Sequence, residues 1–249
     1  MTPFMRVLTA STCFLLVAVR APAADDDAKA VIEKAIKAHG GADRLTKFQA
    51  SKTKSKGNIE LAGGITFTSD SAVQYPDKFK ETVDLEVAGN KVTVVTVYDG
   101  KKGWTSINGE TKEMDEKTLD AMKEVLHDMQ IMRMAFTRDK KCEFSPLGEI
   151  KVNDQPAIGV KVSAKDHKEV NLYFDKKTGL LAKMEHQTID QMTGKEVAEE
   201  RIVTEYQEID KVQVAKKVVF NREGKKFLEV EITDLKSLEK LGDEEFGKP

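Results

Sequence analysis

The sequence predicts an α+β protein built on a single curved antiparallel sheet of roughly ten strands, an incomplete β-barrel, with an N-terminal helix and a central Met-rich helix. Two observations point there. Apolar residues recur at helical spacing in only two places, near residues 31–36 and over 115–136, while most of the rest from residue 54 onward alternates with a period of two. The alternating pieces are separated by short Gly, Asn and Asp turns, which join antiparallel neighbours rather than parallel crossovers.

The elements follow in chain order. Arg6, an apolar run over residues 7–19 and the ending Ala21-Pro22-Ala23 have the layout of a secretory signal peptide. The run is shorter than the roughly 20 residues a membrane-spanning helix needs. Cleavage is expected after Ala23, leaving 24–249 as one domain with no transmembrane segment. Cys13 leaves with the leader, so Cys142 has no intramolecular partner and reads as a half-buried structural thiol. Asp25-Asp26-Asp27 supplies an N-cap and negative charge for a helix carrying Val31, Ile32, Ala35 and Ile36 on one face, stopped by Gly40-Gly41. A short second turn over 43–48 adds Leu45 and Phe48. Strands then run from Lys54 to about Thr111, broken at Gly63-Gly64, Gly89-Asn90, Asp99-Gly100 and Asn108-Gly109. Residues 115–136 hold no Gly or Pro and put Leu119, Met122, Val125, Leu126, Met129, Met132 and Phe136 on one stripe. Six further strands are read over 157–235, with turns at Asn153-Asp154, Thr178-Gly179, Thr193-Gly194 and Glu223-Gly224.

Charge and motif exclude several functions. Forty Lys+Arg against 42 Asp+Glu give a formal net charge of −2 with no basic block, so nucleic acid is not an expected partner. The four histidines, His39, His127, His167 and His186, form no metal-ligand spacing. His39 reads as a helix cap and His167 as a solvated turn residue, with His127 and His186 structural. No nucleophile elbow, phosphate-binding loop or zinc-protease helix is present. Glu199-Glu200 and Asp243-Glu244-Glu245 read as solvated faces. No enzyme activity, metal or cofactor is expected.

The central helix carries the positive signal. Five of the nine methionines lie between positions 114 and 134. Methionine suits a surface that conforms to varied apolar partners, and it also fills irregular cores, so a lid and an ordinary packed helix both fit. With only 6% aromatic residues, a sheet this wide is expected to leave its interior incompletely filled, with the Met stripe as a lid over a cavity for one small ligand.

The order of pieces resembles the outer-membrane lipoprotein-sorting family. The motifs are Pro-x-x-Phe at Pro76 to Phe79, Asp-Gly-x-x-x-Trp at Asp99 to Trp104, and Phe-Asp-x-x-Thr-Gly-Leu at Phe174 to Leu180, with the Met-rich helix between the second and third. The resemblance implies a lipoprotein-carrier-like incomplete barrel holding acyl chains on its concave apolar face under a helical lid. Carriers of that family tend to place Arg before the motif's Pro to latch the lid, whereas this chain has Tyr75. The ligand-binding set expected on this basis is Phe67, Phe79 and Trp104 on the strands and Met122, Leu126, Met129, Met132 and Phe136 on the lid. A periplasmic or secreted monomer binding lipid or lipoprotein acyl chains is the first reading. An envelope protein-protein interaction or sensor module using the same concave face is the second. A hydrolase whose site carries no recognisable motif is the third.

Overall fold

The computed structural model describes residues 24–60, 64–135, 142–190 and 193–249, so the expected leader, Cys13 and Phe136 lie outside the described residues. Two helices open the fold, α1 (Ala24–Ala38) and α2 (Ala42–Lys47). Six strands follow: β1 (Ala50–Ile59), β2 (Ile65–Gln74), β3 (Lys78–Val87), β4 (Asn90–Tyr98), β5 (Gly103–Ile107) and β6 (Glu110–Glu113). Helix α3 (Glu116–Met132) separates them from seven more: β7 (Cys142–Val152), β8 (Gln155–Ala164), β9 (Val170–Asp175), β10 (Leu181–Ile189), β11 (Glu196–Ile209), β12 (Val212–Arg222) and β13 (Lys225–Leu238). A short 3-10 helix, Asp243–Phe246, closes the chain.

All thirteen strands belong to one antiparallel sheet in the order β6-β5-β4-β3-β2-β1-β13-β12-β11-β10-β9-β8-β7. The expectation of roughly ten strands is corrected to thirteen. Both halves are meanders, and the pairing of β1 with β13 joins them. The sheet does not close into a barrel: the order ends in β6 and β7. Edge strand β7 contains Pro146 and Gly148, where the register shifts. Proline is tolerated there because an edge strand does not need every N–H.

Several hairpins turn on paired left-handed residues, the type I′ geometry that matches strand twist. Ala88-Gly89, Asn108-Gly109, Asn153-Asp154, Asp210-Lys211 and Glu223-Gly224 all have both φ values between 48 and 91°.

The sheet must be curved, and the helices say which way. Side chains of α3 pack both on Tyr98 of β4, through Met122 and Leu126, and on Leu172 of β9, through Ile131. Those strands are eight spacings apart in the sheet, ~38 Å if it were flat. Met122 and Ile131 are ~14 Å apart along a helix axis. Only a sheet curled around α3 brings β4 and β9 to one short helix, so the helix-bearing face is concave. We call it the inner face.

Cross-strand register assigns side chains to the two faces. Val73, Phe79 and Tyr98 are mutual partners on the inner face and pack under α3. Beside them, α1 buries Ala28, Ile32 and Ala35 against Val160, Val162, Leu172 and Met184. Ala72, Val97 and Trp104 occupy the intervening, outward positions and enclose Phe246 of the 3-10 helix. His39 at the end of α1 donates from Nδ1 to the Ala35 carbonyl at 2.7 Å, the expected local cap. Burial lowers its pKa, and the Leu181 N–H donates to Nε2 at 3.4 Å, which suits a neutral ring. Cys142 is half-buried beside the first core cluster.

Candidate ligand-binding trough

The inner face has a covered end and an open one. At the covered end α3 begins with Asp115, whose carboxylate accepts from the Thr118 N–H at 2.8 Å. The helix then buries Met122 and Leu126 on Val73, Tyr75, Phe79 and Tyr98, with Met129 partly buried against the same cluster. Met132 is partly buried against the neighbouring cluster, and Met134, just past the helix, is fully enclosed there. Phe79, Met122, Leu126 and Met129 are therefore brought together as expected. Trp104 is not with them: it lies across the sheet, on the outer face with Phe246. Phe67 is on the inner face but away from the lid cluster, its ring covering Gly57, where a Cβ would come within 2.5 Å of the ring.

Polar contacts hold α3 in place. The central one is buried: Asp128, His186, Glu199 and Arg201 are each no more than 9% exposed. Arg201 donates from Nη2 to Asp128 at 3.1 Å and from Nε to Glu199 at 3.0 Å. His186 bridges the same two carboxylates through Nδ1 at 3.1 Å and Nε2 at 3.3 Å. Arg222 adds bonds to Glu199 at 2.9 Å and Asp190 at 3.1 Å. Burial alone would lower the His186 pKa, but hydrogen bonds to Asp128 and Glu199 win and raise it. Burial would raise Glu199, yet His186 and the two arginines hold it down at about 2. With His186 protonated, three cations face three carboxylates.

At the C-terminal end of α3, the Arg133 guanidinium stacks 4.2 Å from the Tyr75 ring and donates to the Phe48 carbonyl at 2.8 Å. A cation at the helix end thus meets an aromatic ring in the β2–β3 turn. Along the helix, Glu124 accepts from the Lys168 N–H at 3.1 Å and meets His167 Nδ1 at 2.9 Å, while His167 stacks on His127 at 3.7 Å and 5°.

These contacts correct two sequence readings. His167 is not a solvated turn residue, because the β8–β9 turn folds it onto α3. Glu199 is not a solvated face, being 3% exposed inside the ion network. The sequence did contain a signal. Glu199, Arg201 and Val203 share one phase of β11, and Asp128 falls between Val125 and Met132 on the apolar stripe. Charges in an inward phase mark a buried network once the phase itself is fixed.

Beyond the lid, the inner face of β2–β4 continues as Ser69, Val83 and Val94, then Phe67, Leu85 and Val92. Across β1, β13 and β12 contribute Ile232, Val230, Leu228 and Phe220 to the same face. The apolar members of this set are half-buried, and the core clusters of α1 and α3 do not include them. A cleft of about 800 Å³ lies on these same strands, but its walls include Lys56, Thr68, Asp84, Lys91, Glu229 and Glu231. These six alternate with the inner-face residues and point outward, whereas Phe67, Leu85 and Val92, which also line the cleft, belong to the inner face.

No family model matches the chain, and no curated protein matches its sequence. Solved structures do match. The fold is LolA-like: a large antiparallel sheet, not closed into a barrel, with a few helices. A DUF1329 family protein from Desulfovibrio piger superposes with a TM-score of 0.57 at 14% identity, covering 88% of this chain and 97% of that one. A domain named for outer-membrane lipoprotein sorting, from Vibrio parahaemolyticus, gives 0.55 at 14% identity, covering 89% and 97%. A LolA superfamily protein from Nitrosomonas europaea gives 0.56 at 11% identity, with the same two coverages.

Proposed function

We propose that the protein is an exported, non-catalytic carrier that holds acyl chains of a lipid or lipoprotein on the inner face of its sheet, under α3. Residues 1–23 direct export and are removed, and residues 24–249 form the single binding domain. None of the described helices is long and apolar enough to cross a membrane. The observation that carries the reading is the row of half-buried apolar side chains, Phe67, Leu85, Val92, Val230 and Ile232, that continues the inner face past the helix. Hydrocarbon is the natural occupant of such a surface. Each buried CH₂ is worth about 0.8 kcal/mol, so a chain of about sixteen carbons gains on the order of 10 kcal/mol before association costs. The likeness to the lipoprotein-sorting domain supports the fold side of the argument. Carriage needs no reacting group, only shape, dryness and a lid that can yield. Met122, Met129 and Met132 suit the lid role, because thioether chains repack at small cost.

Native mass spectrometry of protein purified from cell envelopes tests this. The expected spectrum contains a bound mass that is lost on delipidation and regained with phospholipid or lipoprotein. A uniform unliganded mass that stays unchanged when both are offered overturns the proposal.

A further inference from the structure

One carboxylate in the trough has no partner of opposite charge. Glu81 sits on β3 between Phe79, which packs under the lid, and Val83, which begins the open apolar rows. Its cross-strand neighbours on the inner face are Ser71 and Thr96. The buried Ser69 hydroxyl also reaches it, and itself lies 2.7 Å from Ser55 Oγ. Among the described residues no Lys or Arg pairs with Glu81. The Glu81 side chain is half-buried on the concave inner face.

A carboxylate in such surroundings is costly unless a cation or strong donors meet it. Burial accordingly pushes the Glu81 carboxyl up, with the Ser69 hydrogen bond only partly offsetting it. Elsewhere on the same face the chain neutralises its buried carboxylates itself, as Arg201, Arg222 and His186 do for Glu199. At Glu81 it does not.

We propose that Glu81 is the polar recognition point of the trough and that the ligand is an amphiphile whose head brings a primary ammonium to it while the hydrocarbon lies along Phe67, Val83, Leu85 and Val92. This rests on the acyl-carrier reading and narrows its ligand class. An ammonium–carboxylate contact on this concave face is charge-assisted and gives the apolar trough a selectivity it otherwise lacks.

The test compares hexadecylamine with hexadecanol, equal in chain length, by calorimetry on the processed wild-type protein and on Glu81→Gln. Wild type is expected to bind the amine about tenfold more tightly than the alcohol, the scale of one hydrogen bond to a charged group. In Glu81→Gln the two affinities are expected to converge, with hexadecanol binding unchanged, which also reports that the variant is folded. Equal affinities in wild type, or a preference for the amine that survives Glu81→Gln, overturn this inference while leaving carriage intact. A wild-type protein that takes up neither probe overturns carriage and this inference with it.

Discussion

Asp128, His186, Glu199, Arg201 and Arg222 are charged side chains where a sheet-and-helix interface would ordinarily be apolar, and the pKa shifts of Glu199 and His186 set how stability depends on pH. Glu199 is held at about 2, against a usual 4.5. Its contribution is present above about pH 4.5 and is lost as pH falls toward 2. Two to three units at 1.36 kcal/mol each make that contribution on the order of 3 kcal/mol. His186 is shifted the other way, above 6.5, so its contribution is complete below that value and is lost as pH rises through its folded pKa. The network is therefore strongest between about pH 4.5 and 6.5. Chemical unfolding across pH 3 to 9 should show stability falling on both sides of that window. His186→Gln should remove the alkaline limb and weaken the acid one, and Glu199→Gln should remove the acid limb and weaken the alkaline one, because each group helps set the other's pKa. Limbs that keep their slopes in the two variants would show that the ion network does not couple folding to pH. Sequence reading missed this cluster because a charged residue in a one-third charged chain carries no mark of burial. Only the phase of β11 and α3 reveals it, and that phase needs the sheet register.

At the scale of elements, α3 was legible and its neighbours were not. The stripe Leu119 to Met132 fixed the helix and its inward face, and the structure places it over Phe79 and Tyr98. Trp104 was grouped with it because both belong to one expected site, yet the alternation along β4 and β5 puts Trp104 on the outer face with Phe246. These placements have separable consequences. Leu126→Ala, at a site only 2% exposed, should cost about 2–5 kcal/mol and loosen the lid over the covered end. Trp104→Phe should leave acyl-chain uptake unchanged, because that ring does not face the trough. Thermal unfolding and uptake of a fluorescent fatty acid, measured on both variants, check the pair. Impaired uptake in Trp104→Phe with unchanged melting would move the binding surface to the outer face.

For the whole molecule, the class of fold was legible from period and turns, while its extent and curvature were not. Thirteen strands were read as roughly ten because β6 is four residues long and β7 hides behind Pro146 and Gly148. Pairing of β1 with β13 is a contact between the two ends of the chain, so no local pattern announces it. Yet that pairing makes one continuous surface that, beyond the lid, carries apolar side chains such as Phe67, Leu85 and Val92 on its inner face and polar ones such as Thr68, Asp84 and Thr93 on its outer face. Neighbouring residues on one strand therefore belong to opposite environments, which allows a direct readout at single-residue spacing. A sixteen-carbon fatty acid carrying a diazirine near its tail, photolysed in the bound state, should label Phe67, Val83, Leu85, Val92 and Val230 when adducts are mapped by peptide sequencing. Labelling concentrated instead on Thr68, Asp84, Thr93 and Glu229 would place the hydrocarbon on the polar side of the sheet and contradict carriage on the inner face.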